Sequence, residues 1–312
     1  MSYTISFGTL NAADQDAIAR LLHRSLADWY ETHLRLGSRY GEDCRPFLLF
    51  PQVYEALDPG EAVTAREDSS GEVIGVCFSH ERKTHVSVGI VATAPKAWGR
   101  GVARQMMDKV LEKASRLGKP ARLVSSLLNL DSFSLYTRIG FVPGAIFQDM
   151  LMTVPESGMV EPRPQGVDWV REAGPGDVAR IAELEFSLQG IHREKDFAFF
   201  LRNDVGSWRV LVSESDGGGL NGFLAMSVHP SFSMIGPGVA ADGETAASLL
   251  WRALDGFRGR SILFLVPCSA TGLVQTAYQW GARNVEMHVV QSTGGHPAAK
   301  GISFPSFLPE SA

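Results

Sequence analysis

The chain reads through one succession of patterns twice, on either side of a proline-punctuated stretch, and such a repeat commits it to two copies of one structural plan. The stretch is 155–166, with prolines at 155, 162 and 164 and no apolar periodicity, which marks it as a linker. In the first half, 1–154, Ile18, Leu21, Leu22, Leu26 and Trp29 share a face of a helix predicted over 11–36. Asn11 and Asp14 stand in capping-box positions before it, and Gly37 stops it. Strands are expected at 62–66 and 72–79, joined by the turn Asp68–Gly71, and then at 84–93. A helix over 101–117 buries Val102, Met106, Met107, Val110, Leu111 and Ala114, before a strand at 122–127, a short helix at 131–139 and a strand at 148–154.

The second half, 167–312, repeats this order. Asp177, Ile181 and Leu184 match the spacing of Asp14, Ile18 and Leu21. Strands at 209–213 and 222–228 flank a glycine-rich turn, followed by a helix at 245–257, a strand at 261–266, a helix at 271–280 and a strand at 284–291. The expected fold class is α/β, with two tandem domains, each a central mixed β-sheet flanked by helices. The tail 301–309 carries Phe304, Phe307 and Leu308 among prolines and is not expected to be helical.

A formal net charge of -5 excludes a general nucleic-acid binder, which needs a basic face. Cys44, Cys77 and Cys268 lie far apart in no metal-ligand spacing, and the latter two sit in apolar runs as buried small hydrophobes, so no metal is expected. The first residues have no signal-peptide pattern and no segment is long and apolar enough for a membrane helix, so a cytoplasmic location without membrane contact is expected. Oligomeric state is not legible.

The chemistry concentrates where the central strand of the first half turns into its helix, at Val91-Ala-Thr-Ala-Pro-Lys-Ala-Trp-Gly-Arg-Gly-Val-Ala-Arg104. Gly99 and Gly101 allow a tight turn with exposed N–H groups, and the helix N-terminus behind them suits a pyrophosphate. Arg100 and Arg104 add positive charge. A plain strand-to-helix turn would show the same glycines. No Gly-x-x-x-x-Gly-Lys-Ser/Thr motif of P-loop nucleotide-binding proteins is present. Further along stands Asn129-Leu-Asp-Ser132-Phe-Ser-Leu-Tyr136-Thr-Arg-Ile-Gly140-Phe141.

Together these two segments resemble the GNAT superfamily of N-acetyltransferases, best over 61–154. Its phosphate-loop pattern, Gln/Arg-x-x-Gly-x-Gly/Ala, falls on Trp98-Gly-Arg-Gly101-Val-Ala103, with Trp98 departing from the expected residue. Its Asn-x-x-Ala-x-x-Leu-Tyr-x-x-x-Gly-Phe segment falls on 129–141, with Ser132 in the alanine place. The resemblance implies acetyl-CoA as donor cosubstrate. Val91, Ala92 and Thr93 would meet the pantetheine amides, and Trp98, Gly99, Arg100, Gly101, Val102, Ala103 and Arg104 would surround the pyrophosphate. Asn129, with Ser132 beside it, would contact the pantetheine arm, and Tyr136 would protonate the departing thiolate. An amine, small or peptidic, would be the acceptor. Many members place a glutamate on the central strand as base, but 84–90 holds no carboxylate. His85 is the nearest titratable group, either the base or a hydrogen-bonded structural histidine. His33, Tyr40, Tyr54 and Glu55 come from the variable region where the family binds acceptors.

Aligning the halves sets Asp242-Gly243-Glu244 against Gly99-Arg100-Gly101, Ala270 against Asn129 and Ala277 against Tyr136. Carboxylates there repel a phosphate, so the second copy is expected to be degenerate. The sequence expectation is thus an acetyl-CoA-dependent N-acetyltransferase active in its first half. The alternative is a non-catalytic acyl-CoA-binding or regulatory protein.

Overall fold

A computed structural model of the protein describes residues 4–204, 206–296 and 299–311. By compactness these residues form two units, 4–81 with 85–121 and 307–310, and the described residues of 82–84 with 122–306 and 311.

In the first unit, β1 (Ile5–Thr9), β2 (Val63–Glu67), β3 (Val73–Glu81) and β4 (Val86–Thr93) pair antiparallel in chain order. Helices α1 (Gln15–Leu34), α2 (Leu49–Leu57) and α3 (Val102–Arg116) complete it. β3 is buried over all but its last residue, as befits a strand covered on both faces. Ile18, Leu21 and Leu22 of α1, and Met106, Met107 and Val110 of α3, are in the core as their spacing predicts. A Cβ on Gly75 would meet Met106 Cε at 3.0 Å and Val102 Cγ1 at 3.2 Å, so the missing side chain lets the start of α3 settle closely on β3. β1 and α2 are additions to the sequence reading. β1 is short and half-exposed, and the aromatic-rich α2 follows a proline-containing turn that hides its start.

The second unit takes β5 (Ala121–Ser126), whose first residue closes the first unit, with α4 (Leu130–Arg138) and β6 (Val142–Thr153). β7 (Val170–Glu172), α5 (Val178–Gln189), α6 (Glu194–Arg202), β8 (Trp208–Glu214), β9 (Leu220–His229) and β10 (Phe232–Ala240) follow. The remaining elements are α7 (Gly243–Asp255), β11 (Ser261–Pro267), α8 (Thr271–Gln279), β12 (Arg283–Ser292) and β13 (Ile302–Phe304). The strand order is β5-β12-β6-β11-β10-β9-β8-β7, with β10 and β11 parallel and the other neighbours antiparallel.

This order explains why the compact units part at Ala121/Arg122 and not at the 154/155 division expected from sequence. β6, from the first half of the sequence, lies between β11 and β12 of the second, while β12 lies between β5 and β6. The halves exchange their closing strands. β10 was missed because Gly236-Pro237-Gly238 in its middle argues against a strand, and it is there that its register against β9 slips. Cys77 is buried as expected, whereas Cys268 is only partly covered. No helix among the described residues is long and apolar enough to cross a membrane.

The two halves start alike. Asn11 N–H donates to Asp14 Oδ2 at 3.1 Å, and Gly174 N–H donates to Asp177 Oδ2 at 2.9 Å. Arg171 donates two hydrogen bonds to Asp177, and with the Gly174 N–H it holds that carboxyl down at about 2, from 3.8. A depressed acid stabilises the fold above its unfolded pKa and stops doing so as pH falls through the folded one. Asp177→Asn should therefore cost on the order of 1–2 kcal/mol at pH 7. Thermal unfolding of wild type and variant should converge between pH 4 and pH 2, the interval set by 3.8 and about 2. A pH-independent difference contradicts this account.

Candidate functional site

β4 is bulged against β3. Cys77 pairs with Val91 and Ser79 with Val88, so β4 spends one extra residue there, ahead of the Val91–Thr93 end of the strand. The chain then makes a single turn at Pro95–Ala97, passes Trp98-Gly-Arg-Gly101 and enters α3. Gly99 and Gly101 have φ of +74° and +75°, a region that favours glycine, and Gly101 is the helix N-cap with no side chain to cap. The N–H groups of Val102, Ala103 and Arg104 have no carbonyl one turn earlier in the helix to bond. Three donors at the positive end of the helix dipole thus converge on an uncapped N-terminus, an arrangement built for an anion.

Two side chains of this loop have partners within the chain. Trp98 Nε1 donates to the Thr93 carbonyl at 3.0 Å, so the indole braces the end of β4. Its ring lies 6.5 Å from that of His33, which itself stacks on Trp29. Arg104 donates from Nε to both oxygens of Asp108 at 2.8 and 3.0 Å, which draws its charge along the helix. Arg100 is exposed at the turn.

His85 is only 1% exposed, six residues before Val91 at the start of β4, roughly 20 Å away at strand spacing. Such burial is what the structural-histidine reading of His85 expects. Of the acceptor-region residues, Tyr54 stacks on Phe78 and His80 and donates from Oη to the Phe307 carbonyl at 3.4 Å. That bond fixes part of the tail in the first unit, where buried Leu308 also lies. Tyr40 packs edge-on to Tyr30. Burial, and then the charge of Asp58, push the Glu55 carboxyl up against the opposing Gly60 N–H.

On α4 the second group of predicted residues is contiguous. Asn129 is the N-cap and its Oδ1 accepts from Ser132 N–H at 3.0 Å, so the side-chain oxygen is engaged within the chain. Tyr136 is 7% exposed and its ring lies 5.9 Å from Phe141. The predicted residues therefore form one group on β4 and α3 and another on α4.

The second half answers the same features from within. Asp242 caps α7, accepting from Thr245 N–H at 2.8 Å. Asp242, Glu244, Glu214 and Asp216 line a single open groove. β10 pairs with β11 only at Met234 and Ile235; beyond that, the tail strand β13 pairs antiparallel with Gly238–Ala240 of β10 and packs against β11. The sequence signal for this was Phe304, a large apolar residue in a tail, which proves 1% exposed.

Residues 19–141 match the sequence profile of the acetyltransferase (GNAT) family. No curated protein matches the chain in sequence. Among solved structures, the chain is similar to a proposed acetyltransferase from Pyrococcus horikoshii, at 15% identity and a TM-score of 0.73 over 96% of this chain and 93% of that one. It is similar to a tandem GNAT protein from the clavulanic acid biosynthesis pathway, at 16% identity and a TM-score of 0.60 over 93% and 98%. A third likeness is to Saccharomyces cerevisiae N-myristoyltransferase with bound myristoyl-CoA, at 9% identity and a TM-score of 0.59 over 100% and 84%. At such identities the likeness is one of fold, and the fold is the tandem one expected from the repeat.

If the open end of α3 is an anion site, Gly101→Glu should abolish it by adding a carboxylate and a Cβ where φ is +75°. Equilibrium dialysis with coenzyme A should show affinity lowered by about 100-fold or more, with circular dichroism unchanged. Undiminished affinity would place the ligand elsewhere.

Proposed function

Because residues 19–141 belong to the acetyltransferase (GNAT) family, we propose that the protein moves an acetyl group from acetyl-CoA to an amine by direct attack, using the first half of its sequence. The observation that carries this reading is the contrast between two equivalent helix starts. That of α3 is glycine-capped and open, whereas that of α7 is closed by its own Asp242, with β13 alongside the preceding strand. The likeness to a fold that holds myristoyl-CoA in the yeast transferase supports an acyl-CoA donor.

In this mechanism the α3 N–H groups hold the pyrophosphate, and backbone groups of Val91–Thr93 hold the pantetheine and polarise the acetyl carbonyl. Asn129 offers its amide N–H to the pantetheine arm. The amine nitrogen attacks the carbonyl carbon, the carbon–sulfur bond breaks, and Tyr136 gives its phenolic proton to the thiolate. The amine's own proton passes to solvent, since His85 is enclosed. The mildly acidic protein, at -5, favours a cationic amine over an anionic acceptor.

The second reading, an acyl-CoA-binding protein without turnover, is favoured by one observation: β4 carries no carboxylate and the histidine before it is buried. Incubation with acetyl-CoA and a panel of amines separates the two, since only an enzyme releases free thiol faster than buffer. Within the enzyme reading, Tyr136→Phe should lower turnover by about 100-fold or more while cofactor affinity barely moves. Unchanged turnover, measured where chemistry limits the rate, removes Tyr136 from the mechanism.

A further inference from the structure

The helix start that Asp242 closes borders a groove of about 510 Å³ within the second unit, a size that suits a small molecule. Four carboxylates line it, Asp242 and Glu244 from the start of α7, Glu214 from the end of β8 and Asp216 from the turn after it. Only Glu214 is matched by cations, accepting from Arg171 at 2.7 Å and from Arg180 at 3.3 Å. Asp216 and Glu244 are exposed and pair with no cation among the described residues, and Asp242 accepts only from Thr245 N–H. The described residues that line the groove include no Lys, Arg or His. Its field therefore favours a cation.

Acidic side chains alone would make a solvated face. The groove also holds polar atoms that are withdrawn from water and that the chain does not answer. Ser248 lines it while 0% exposed, and its Oγ has no hydrogen-bond partner among the described residues. A Cβ on Gly166, which lines the same groove, would come within 2.8 Å of that Oγ, so glycine there leaves the hydroxyl uncovered. Asn221 repeats the pattern. Its Nδ2 donates to Thr245 Oγ1 at 3.3 Å, while its Oδ1 is buried without a partner among the described residues. A buried acceptor left unanswered is costly, and an N–H donor brought by a ligand removes that cost.

An alkylammonium group supplies both the charge and the donors. The uncommitted carboxylates stand on α7 and on the turn after β8, which calls for positive charge at more than one point. No group of three or more His, Cys, Asp or Glu among the described residues is gathered to hold a metal ion, so an extended cation fits better than a point ion. Trp169, 56% exposed in the lining, offers an indole face to methylenes and ammonium alike.

We propose that this groove binds an aliphatic diamine as its dication. One ammonium group meets Ser248 Oγ and Asn221 Oδ1, the other lies among Asp216, Asp242 and Glu244, and the methylene chain runs against Trp169. The second half would then hold a ligand of opposite charge to the anion expected at α3. The site does not rest on the acetyl-transfer reading, because binding alone reads it.

The test uses the full-length protein with 1,5-diaminopentane and its uncharged isostere 1,5-pentanediol. Calorimetry should give one saturable site per chain for the diamine and none for the diol, and only the diamine should raise Tm as its concentration rises. The double variant Asp216→Asn, Glu244→Gln alters exposed side chains only and should weaken diamine binding by about tenfold or more. Ser248→Ala should weaken it by about fivefold or more while leaving the Tm of the unliganded protein undiminished, since no bond within the chain is lost. Equal binding of diamine and diol, binding of neither, displacement of the diamine by equimolar magnesium, or full affinity in the folded double variant would each overturn the proposal. A lowered Tm in unliganded Ser248→Ala would overturn it too, by showing that the hydroxyl serves the fold.

Discussion

A helix that follows a central strand begins with N–H groups that no earlier turn can satisfy, and in this protein two such helices resolve that constraint in opposite ways. At α3 the residue before the first turn is Gly101, held at positive φ, with nothing to offer the donors. At α7 it is Asp242, whose carboxylate reaches Thr245 N–H. One start has no side-chain acceptor and the other carries its own. The remaining features of the two halves accompany that division: the bulge before α3, the acidic groove and added tail strand beside α7.

The exchange of closing strands gives the second half a structural reason to persist. β6 has its partners in β11 and β12, both of which come from beyond residue 166. β12 in turn supplies the neighbour of β5, and α4 with Asn129 and Tyr136 lies between β5 and β6 in sequence. The strands that bracket one group of predicted site residues are thus held by a part of the chain that carries none of them. That scaffolding role does not depend on any ligand chemistry in the second half.

What could be read from the residues was local. The capping pair Asn11 and Asp14, the buried stripe of α3 and the glycines at 99 and 101 declare themselves by spacing and φ preference, and the structure has all three. What could not be read depends on partners far along the chain. Nothing in β6 names β12 as its neighbour, and Gly236-Pro237-Gly238 hides a strand that tolerates a proline only because its pairing slips there. Side-chain partners within the chain are not legible from the motif: Trp98 donates to the Thr93 carbonyl and Arg104 pairs with Asp108. The chemistry of His85 is legible in the sequence and its burial, a property of the packed fold, is not.

Stoichiometry reads most directly whether one helix start is open to a CoA donor and its counterpart closed. Isothermal titration of the intact protein with acetyl-CoA should give a single site per chain. Two equivalent sites would show that Asp242 and the tail strand do not close the second copy, and absence of binding would show that Gly101 does not open the first.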